Sequence, residues 1–268
     1  MKIVRFQTLQ GEELYGIADR EGTGRARVIQ GGIYDDIMVT DRVETVANLL
    51  PPVLPVNILC IGLNYGKHAR ETNIAYPESP VLFVKTTNTV IGHDAPIMLP
   101  AAGADQVDYE AELAVVIGRR GKNITVAEAS DHILGYTCAN DVSARDWQIF
   151  KQKKQWARGK SFDTFCPLGP CLVTKDELPD PDNLPIRLML NGTVMQDANT
   201  ADMIFDVASI VSDLSRSMTL EPGTVILTGT PEGVGFTREP PVFLREGDRV
   251  TVSIEGIGDL SNPVIREA

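Results

Sequence analysis

The stretch Asp108-Tyr109-Glu110-Ala111-Glu112-Leu113-Ala114-Val115-Val116-Ile117-Gly118 constrains this chain more than any other. Its second half, Leu113 to Ile117, is an unbroken apolar run closed by a glycine. A short run rich in β-branched residues predicts a buried strand. Glu110 and Glu112 stand at its start. Alternate residues of a strand share a face, so the two carboxylates project side by side, with Cα atoms about 6.6 Å apart. Two inward carboxylates without a partner are costly. They need a cation, either a basic side chain or a metal, and a divalent metal is the working reading. The plain alternative is a solvated strand face, since Glu-x-Glu is a common pattern.

A chain of 268 residues predicts one large domain, or one large and one small. The net charge of −11 argues against nucleic acid or an anionic membrane as partner. It does not exclude a small anionic substrate, because a local metal or lysine overrides the global field. No run of eighteen apolar residues exists, so no membrane span is expected. The first residues, MKIVRFQTLQGEEL, lack an apolar signal core, and the cytoplasm is the expected compartment. Cys60, Cys138, Cys166 and Cys171 show no C-x-x-C spacing and read as buried thiols.

Twenty-three glycines and seventeen prolines indicate many turns and a β-rich fold. Residues 1–52 read as a small N-terminal β-rich domain. Met1 to Phe6 alternates as a strand does, Leu14 to Ala18 returns, and Pro51-Pro52-Val53-Leu54-Pro55 forms a stiff boundary. Residues 53–268 form the second, larger unit.

Ile58 to Gly62 is a short buried strand, followed by a helix or loop in which His68 and Glu71 are three apart and share a face. A carboxylate beside an imidazole orients it and raises its basicity; an exposed surface pair is the alternative. Val81 to Val84 is an apolar strand ending in Lys85. Leu134 to Asn140 is another, ending at Asp141, a natural third carboxylate at a strand end. Asp141 also suits an N-cap for a short helix over Val142 to Ile149. On that helix Arg145 and Gln148 point the same way. Lys151 to Lys160 is basic and reads as a loop. Lys160 lies between Gly159 and Ser161, with little bulk to bar it from a cavity. Asn191-Gly192 is a hairpin turn. Phe205, Ala208, Val211 and Leu214 form a helical core stripe. The strand Val225 to Leu227 opens into Gly229-Thr230-Pro231-Glu232-Gly233, which lacks the Gly-Lys-Ser/Thr ending of a phosphate loop. Its backbone N–H groups can still hold a carboxylate.

Taken together and in order, these motifs resemble the fumarylacetoacetate hydrolase family. The resemblance runs from about Ile58 to Pro263. It rests on Gly62-Leu63-Asn64-Tyr65 with His68 and Glu71, on Phe83-Val84-Lys85, and on Asp108-Tyr109-Glu110-Ala111-Glu112. It continues through Asn140-Asp141-Val142-Ser143-Ala144-Arg145-Asp146, Gly159-Lys160-Ser161-Phe162-Asp163 and Thr228-Gly229-Thr230-Pro231. It implies an α+β, mostly β fold, a mixed β-sheet roll with short helices, usually as a homodimer. It implies Mg²⁺, or Mn²⁺ or Ca²⁺, on Glu110, Glu112 and Asp141. It implies a small 2-oxo acid substrate chelated to that ion, a water-activating lid dyad in His68 and Glu71, and a substrate-facing Lys160. Lys85, Arg145, Gln148, Gly229 and Thr230 match pocket positions. Val56 to Lys67 contain no acidic residue, whereas fumarylacetoacetases carry an Asp ligand ahead of the catalytic His. That departure favours the smaller acylpyruvate-type relatives, and Glu232 matches no family position. The expected activity is Mg²⁺-dependent hydrolysis of a C–C bond in an acylpyruvate or related 2,4-dioxo acid, releasing pyruvate. The alternatives are oxaloacetate decarboxylation, or isomerisation or decarboxylation of a 2-hydroxy-hepta-2,4-diene-1,7-dioate-type substrate.

Overall fold

The computed structural model describes residues 1–19, 24–102 and 105–267. The acidic strand Ala111–Ile117 lies inside the main sheet, and all seven of its residues are buried. It runs antiparallel to Ile133–Asn140 on one side and to Thr224–Leu227 on the other. Leu113, Val115 and Ile117 enter one apolar core, whereas Ala114 and Val116 enter a second with Ile58, Cys60, Val225 and Leu227. Two covered faces explain the continuous apolar run. Each large side chain so buried contributes roughly 1.5–3 kcal/mol.

The main sheet follows the order Met38–Thr45, Arg25–Gln30, Glu13–Ala18, Lys2–Gln7, Cys166–Thr174, Ile133–Asn140, Ala111–Ile117, Thr224–Leu227, Asn57–Gly62 and Val81–Lys85. The N-terminal strands join it where Lys2 and Ile3 pair with Val173 and Leu172. A second sheet, of five strands, comprises Thr193–Asn199, Pro185–Leu190, Arg249–Ile254, Gly258–Arg266 and Ile97–Leu99. The hairpin Pro185–Asn199 turns at Asn191 and Gly192, both with positive φ (52° and 80°), as its Asn-Gly pair requires. Among the described residues, no helix is long and apolar enough to cross a membrane. All four cysteines are buried and free.

Three local expectations are corrected. Val142 to Ile149 does not begin as a helix. Ser143–Ala144 pairs with Val107–Asp108, and Arg145 N donates to Gln106 O at 2.9 Å, so a helical turn of π type starts only at Asp146–Lys151. The basic stretch does not end as a loop but in the helix Trp156–Lys160. Trp156 packs edge-on to Phe83, with ring centroids 5.5 Å apart, and seats that helix. The long helix begins at Val207, because Asp206 caps it by accepting from Ser209 N at 2.7 Å. Its buried face is Val207, Ile210, Val211 and Leu214, leaving Phe205 ahead of the cap.

Candidate metal centre and its lid

Sheet register assembles the acidic site. Ala111 pairs with Asn140, so Glu110 and Asp141 stand opposite one another, and Asp141 N donates to Glu110 O at 2.9 Å. Glu112 follows Glu110 on the same face. One carboxylate oxygen from each of Glu110, Glu112 and Asp141 lies within 4.8 Å of the others, and all three residues are buried. Asp141 is not a helix cap. Its Oδ1 accepts from Lys85 Nζ and its Oδ2 from Lys160 Nζ, both at 2.6 Å.

Three cations meet this cluster. Lys160 Nζ also reaches Glu110 Oε2 at 2.9 Å. Arg145 Nη2 reaches Glu110 Oε1 at 2.7 Å and Asp108 Oδ2 at 2.8 Å. Lys85 donates additionally to Val142 O at 3.1 Å, so it is turned onto a strand end and a carboxylate. Gln148 Oε1 accepts from Arg145 Nη1 at 2.9 Å. Lys160 is only 2% exposed. It arrives there because Gly159 lies against backbone: a Cβ at that position would sit 2.6 Å from Gln148 N and 2.9 Å from Ala144 O.

The charges do not balance. With all four carboxyls ionised, Asp108, Glu110, Glu112 and Asp141 would face Lys85, Arg145 and Lys160 with one negative charge in excess. The excess falls on Glu112, whose Oε2 accepts from the neutral Gly229 N at 2.7 Å. Burial pushes its carboxyl well above the usual range, and the nearby Asp141 and Glu110 push it further. Glu110 behaves oppositely. Burial opposes its ionisation, but Lys160 and Arg145 outweigh burial and hold it down to about 2, with a smaller contribution from His68. For Lys160, burial disfavours the ammonium, yet Asp141 and Glu110 prevail and raise it above its ordinary value. A divalent cation would remove the excess. Three hard oxygen donors at this spacing suit Mg²⁺, Mn²⁺ or Ca²⁺ and leave coordination positions for a substrate.

The segment expected to act as a lid forms the helix Gly66–Glu71. His68 Nδ1 and Glu71 Oε2 are 2.9 Å apart, which orients the ring and leaves Nε2 for chemistry. Burial alone would raise the Glu71 carboxyl. Hydrogen bonds from His68, Gly233 N–H and Thr237 outweigh it and hold Glu71 below the usual range. Those bonds also fasten the lid to the glycine-rich loop: Gly233 N and Thr237 Oγ1 donate to Glu71 Oε1 at 3.0 and 2.9 Å. Lys67 Nζ lies 3.5 Å from Glu232 Oε1, which gives Glu232 a place in the same clasp.

The loop uses its N–H groups on the protein's own carboxylates. Gly229 N serves Glu112, Gly233 N serves Glu71, and Gly235 and Phe236 N serve Asp108. Thr230 Oγ1 accepts from Gln196 Nε2 at 2.8 Å, and Gln196 Oε1 accepts from Ala111 N, between the two strand glutamates. Gln196 and Asp108 have no role in the sequence reading. Asp108 carried a signal, as the first member of the Asp-x-Glu-x-Glu alternation. Gln196 carried none, because its place depends on packing of the second sheet.

Comparison with known proteins places the chain among enzymes. The model of the fumarylacetoacetate (FAA) hydrolase C-terminal family matches residues 57–265. The mitochondrial oxaloacetate tautomerase fahd2 of Xenopus laevis is 51% identical over 219 residues, covering 81% of this chain and 68% of that protein. A solved 5-carboxymethyl-2-hydroxymuconate delta-isomerase from Mycobacterium smegmatis superposes with a TM-score of 0.88 at 41% identity, covering 100% of both chains. A 2-hydroxyhepta-2,4-diene-1,7-dioate isomerase from Mycobacterium marinum gives 0.86 at 42% identity, covering 100% of this chain and 99% of the other. The expectation of a cytoplasmic protein is overturned by the first of these relatives, which is mitochondrial. A charged N-terminal stretch without an apolar core does not specify a compartment.

Proposed function

This chain belongs to the fumarylacetoacetate hydrolase family, and from that premise we propose that it is a divalent-metal-dependent enzyme interconverting the keto and enol forms of a 2-oxo dicarboxylic acid of the oxaloacetate class. The carrying observation is the buried triad Glu110, Glu112 and Asp141, one charge short of neutral, beside an imidazole held by a carboxylate. The names of the relatives support proton transfer over hydrolysis, since they are one oxaloacetate tautomerase and two isomerases of 2-hydroxy dienoic acids.

A divalent ion on the triad would act as a Lewis acid toward the 2-oxo group. Glu110, Glu112 and Asp141 would hold it, with Lys85, Lys160 and Arg145 fixing the ligand carboxylates. With that ion the cluster carries one positive charge, which suits an anionic substrate. His68, its Nδ1 tied to Glu71, accepts the C3 proton at Nε2. The Lys160 ammonium, buried and fully charged, stabilises the developing enolate oxygen. The proton returns to oxygen or to C3, depending on direction. The latched lid keeps water from the site during the transfer.

A second reading, hydrolytic release of pyruvate from an acylpyruvate, draws on the same dyad, because His68 backed by Glu71 also suits activation of water. One panel separates the two. The full chain with Mg²⁺ is given enol oxaloacetate, a 2-hydroxy-hepta-2,4-diene-1,7-dioate and acylpyruvates. Enol loss is followed by ultraviolet absorbance, and pyruvate release by a coupled assay. The proposal expects enol loss faster than pyruvate release. Rapid pyruvate release from an acylpyruvate, with no acceleration of enol loss, would replace it with hydrolysis.

A further inference from the structure

Asp108 is wholly buried, and five N–H groups converge on it. Oδ1 accepts from Tyr109 N and Gly235 N, each at 2.8 Å. Oδ2 accepts from Phe236 N at 3.0 Å, Arg145 Nε at 3.0 Å and Arg145 Nη2 at 2.8 Å. The approach of the loop is so close that a Cβ at Gly235 would meet Asp108 Oδ1 at 2.5 Å and Val242 O at 1.9 Å. Phe236, whose N–H is held by Asp108, lays its ring over the Arg145 guanidinium at 4.3 Å. The same Arg145 Nη2 contacts Glu110 Oε1 at 2.7 Å.

We infer that Asp108 is a positioning residue for the metal centre, acting through Arg145 on the ligand Glu110 and tying that ligand to the loop that closes over the site. The inference rests on the triad being the metal site. Its physical basis is the sharing of one buried guanidinium between two carboxylates. Asp108 accepts from Arg145 Nε and Nη2 from behind, and the Phe236 ring holds the guanidinium in place. Glu110 then keeps its charge for a cation in front. Without the Asp108 carboxyl, Glu110 becomes the sole anion of Arg145, and its Oε1 competes as a metal ligand against a full ion pair. Partners that orient a ligand in this way change metal affinity by about 10–100-fold when removed.

The test is Mn²⁺ affinity by titration calorimetry on the full chain, with wild type, Asp108→Asn, Arg145→Met and the double variant. The expected result is a loss of about 10–100-fold in Asp108→Asn. The double variant should lose no more than Arg145→Met alone, because Asp108 acts only through that arginine. A purely structural role predicts losses that multiply, and that outcome overturns the inference. So does Mn²⁺ binding in Asp108→Asn within about twofold of wild type. Should Asp108→Asn not fold, Phe236→Leu decides, since it leaves every hydrogen bond to Asp108 in place and removes only the ring from Arg145. It should weaken Mn²⁺ by about two- to tenfold, and unchanged affinity overturns the inference. A wild type that binds no Mn²⁺ removes the metal reading and the inference together. A wild type that binds, with variants that bind equally, removes the inference alone.

Discussion

Glu112→Gln tests the charge imbalance at the triad. Glu112 is 1% exposed, accepts from a neutral N–H, and has Asp141 and Glu110 beside it. Its folded-state carboxyl is raised, first by burial and then by those two carboxylates. A raised folded value means that the folded chain keeps a proton the unfolded chain releases near pH ~4.3. The contribution of Glu112 to stability is therefore present below that pH and falls as pH rises, by about 1.4 kcal/mol per unit until the folded carboxyl ionises. Glutamine has no such titration, and its amide oxygen can still accept from Gly229 N. Metal-free wild type and Glu112→Gln should melt together near pH ~4 and diverge above it, with the variant the more stable. At roughly 2–4 °C per kcal/mol for a chain near this length, the gap grows by about 3–6 °C per pH unit. Metal narrows the gap. Ligand at one hundred times its dissociation constant stabilises wild type by about 2.7 kcal/mol, and the variant, lacking one charged donor, loses most of that gain. The assay is thermal unfolding from pH ~4 to ~8 with chelator or with Mg²⁺. A variant less stable than wild type at pH 8 in chelator, or equal stabilisation of both by Mg²⁺, refutes the reasoning.

Other substitutions probe neighbouring parts of the site. Lys160→Met strands Glu110 and Asp141 without one of their cations, so the metal-free chain should lose about 3–5 kcal/mol in denaturant unfolding and regain part of it with Mg²⁺. His68→Ala should slow enol–keto conversion by about 10²–10⁴-fold while leaving Mn²⁺ affinity near wild type, because the proposal gives the imidazole the role of base and leaves it out of the ligand triad; kinetics and calorimetry read the two separately. Gly159→Ala forces a Cβ against Gln148 N at 2.6 Å, which should lower stability by about 1–3 kcal/mol and displace Lys160, seen as a lower melting temperature and a lower kcat.

The acidic strand was legible in the sequence because both of its faces are apolar, so Leu113 to Ile117 could only be buried, and strand alternation put Glu110 beside Glu112. Asp141 was legible as a strand-end carboxylate; that it faces Glu110 follows from register, which the sequence does not carry. The dyad spacing of His68 and Glu71 is local and survives as drawn, whereas the grip of Gly233 and Thr237 on Glu71 joins residues more than 160 positions apart. Local pattern failed where tertiary hydrogen bonds replaced helical ones, at Ser143–Ala144, and where an aromatic contact ordered a basic stretch, at Trp156–Lys160. Asp108 looked like a member of an alternating acidic motif; its function as a hub appears only when Arg145 and the loop at Gly235 arrive from elsewhere in the chain.

The central claim is that a divalent ion on Glu110, Glu112 and Asp141 enables this chain to move a proton on a 2-oxo dicarboxylic acid. The direct measurement is the rate of enol oxaloacetate loss by the metal-stripped chain as Mg²⁺ is titrated in, alongside calorimetric stoichiometry. The account predicts negligible acceleration in chelator, and activity rising with occupancy of one site per chain. Undiminished activity in chelator, or one bound Mg²⁺ per chain with no acceleration, contradicts it.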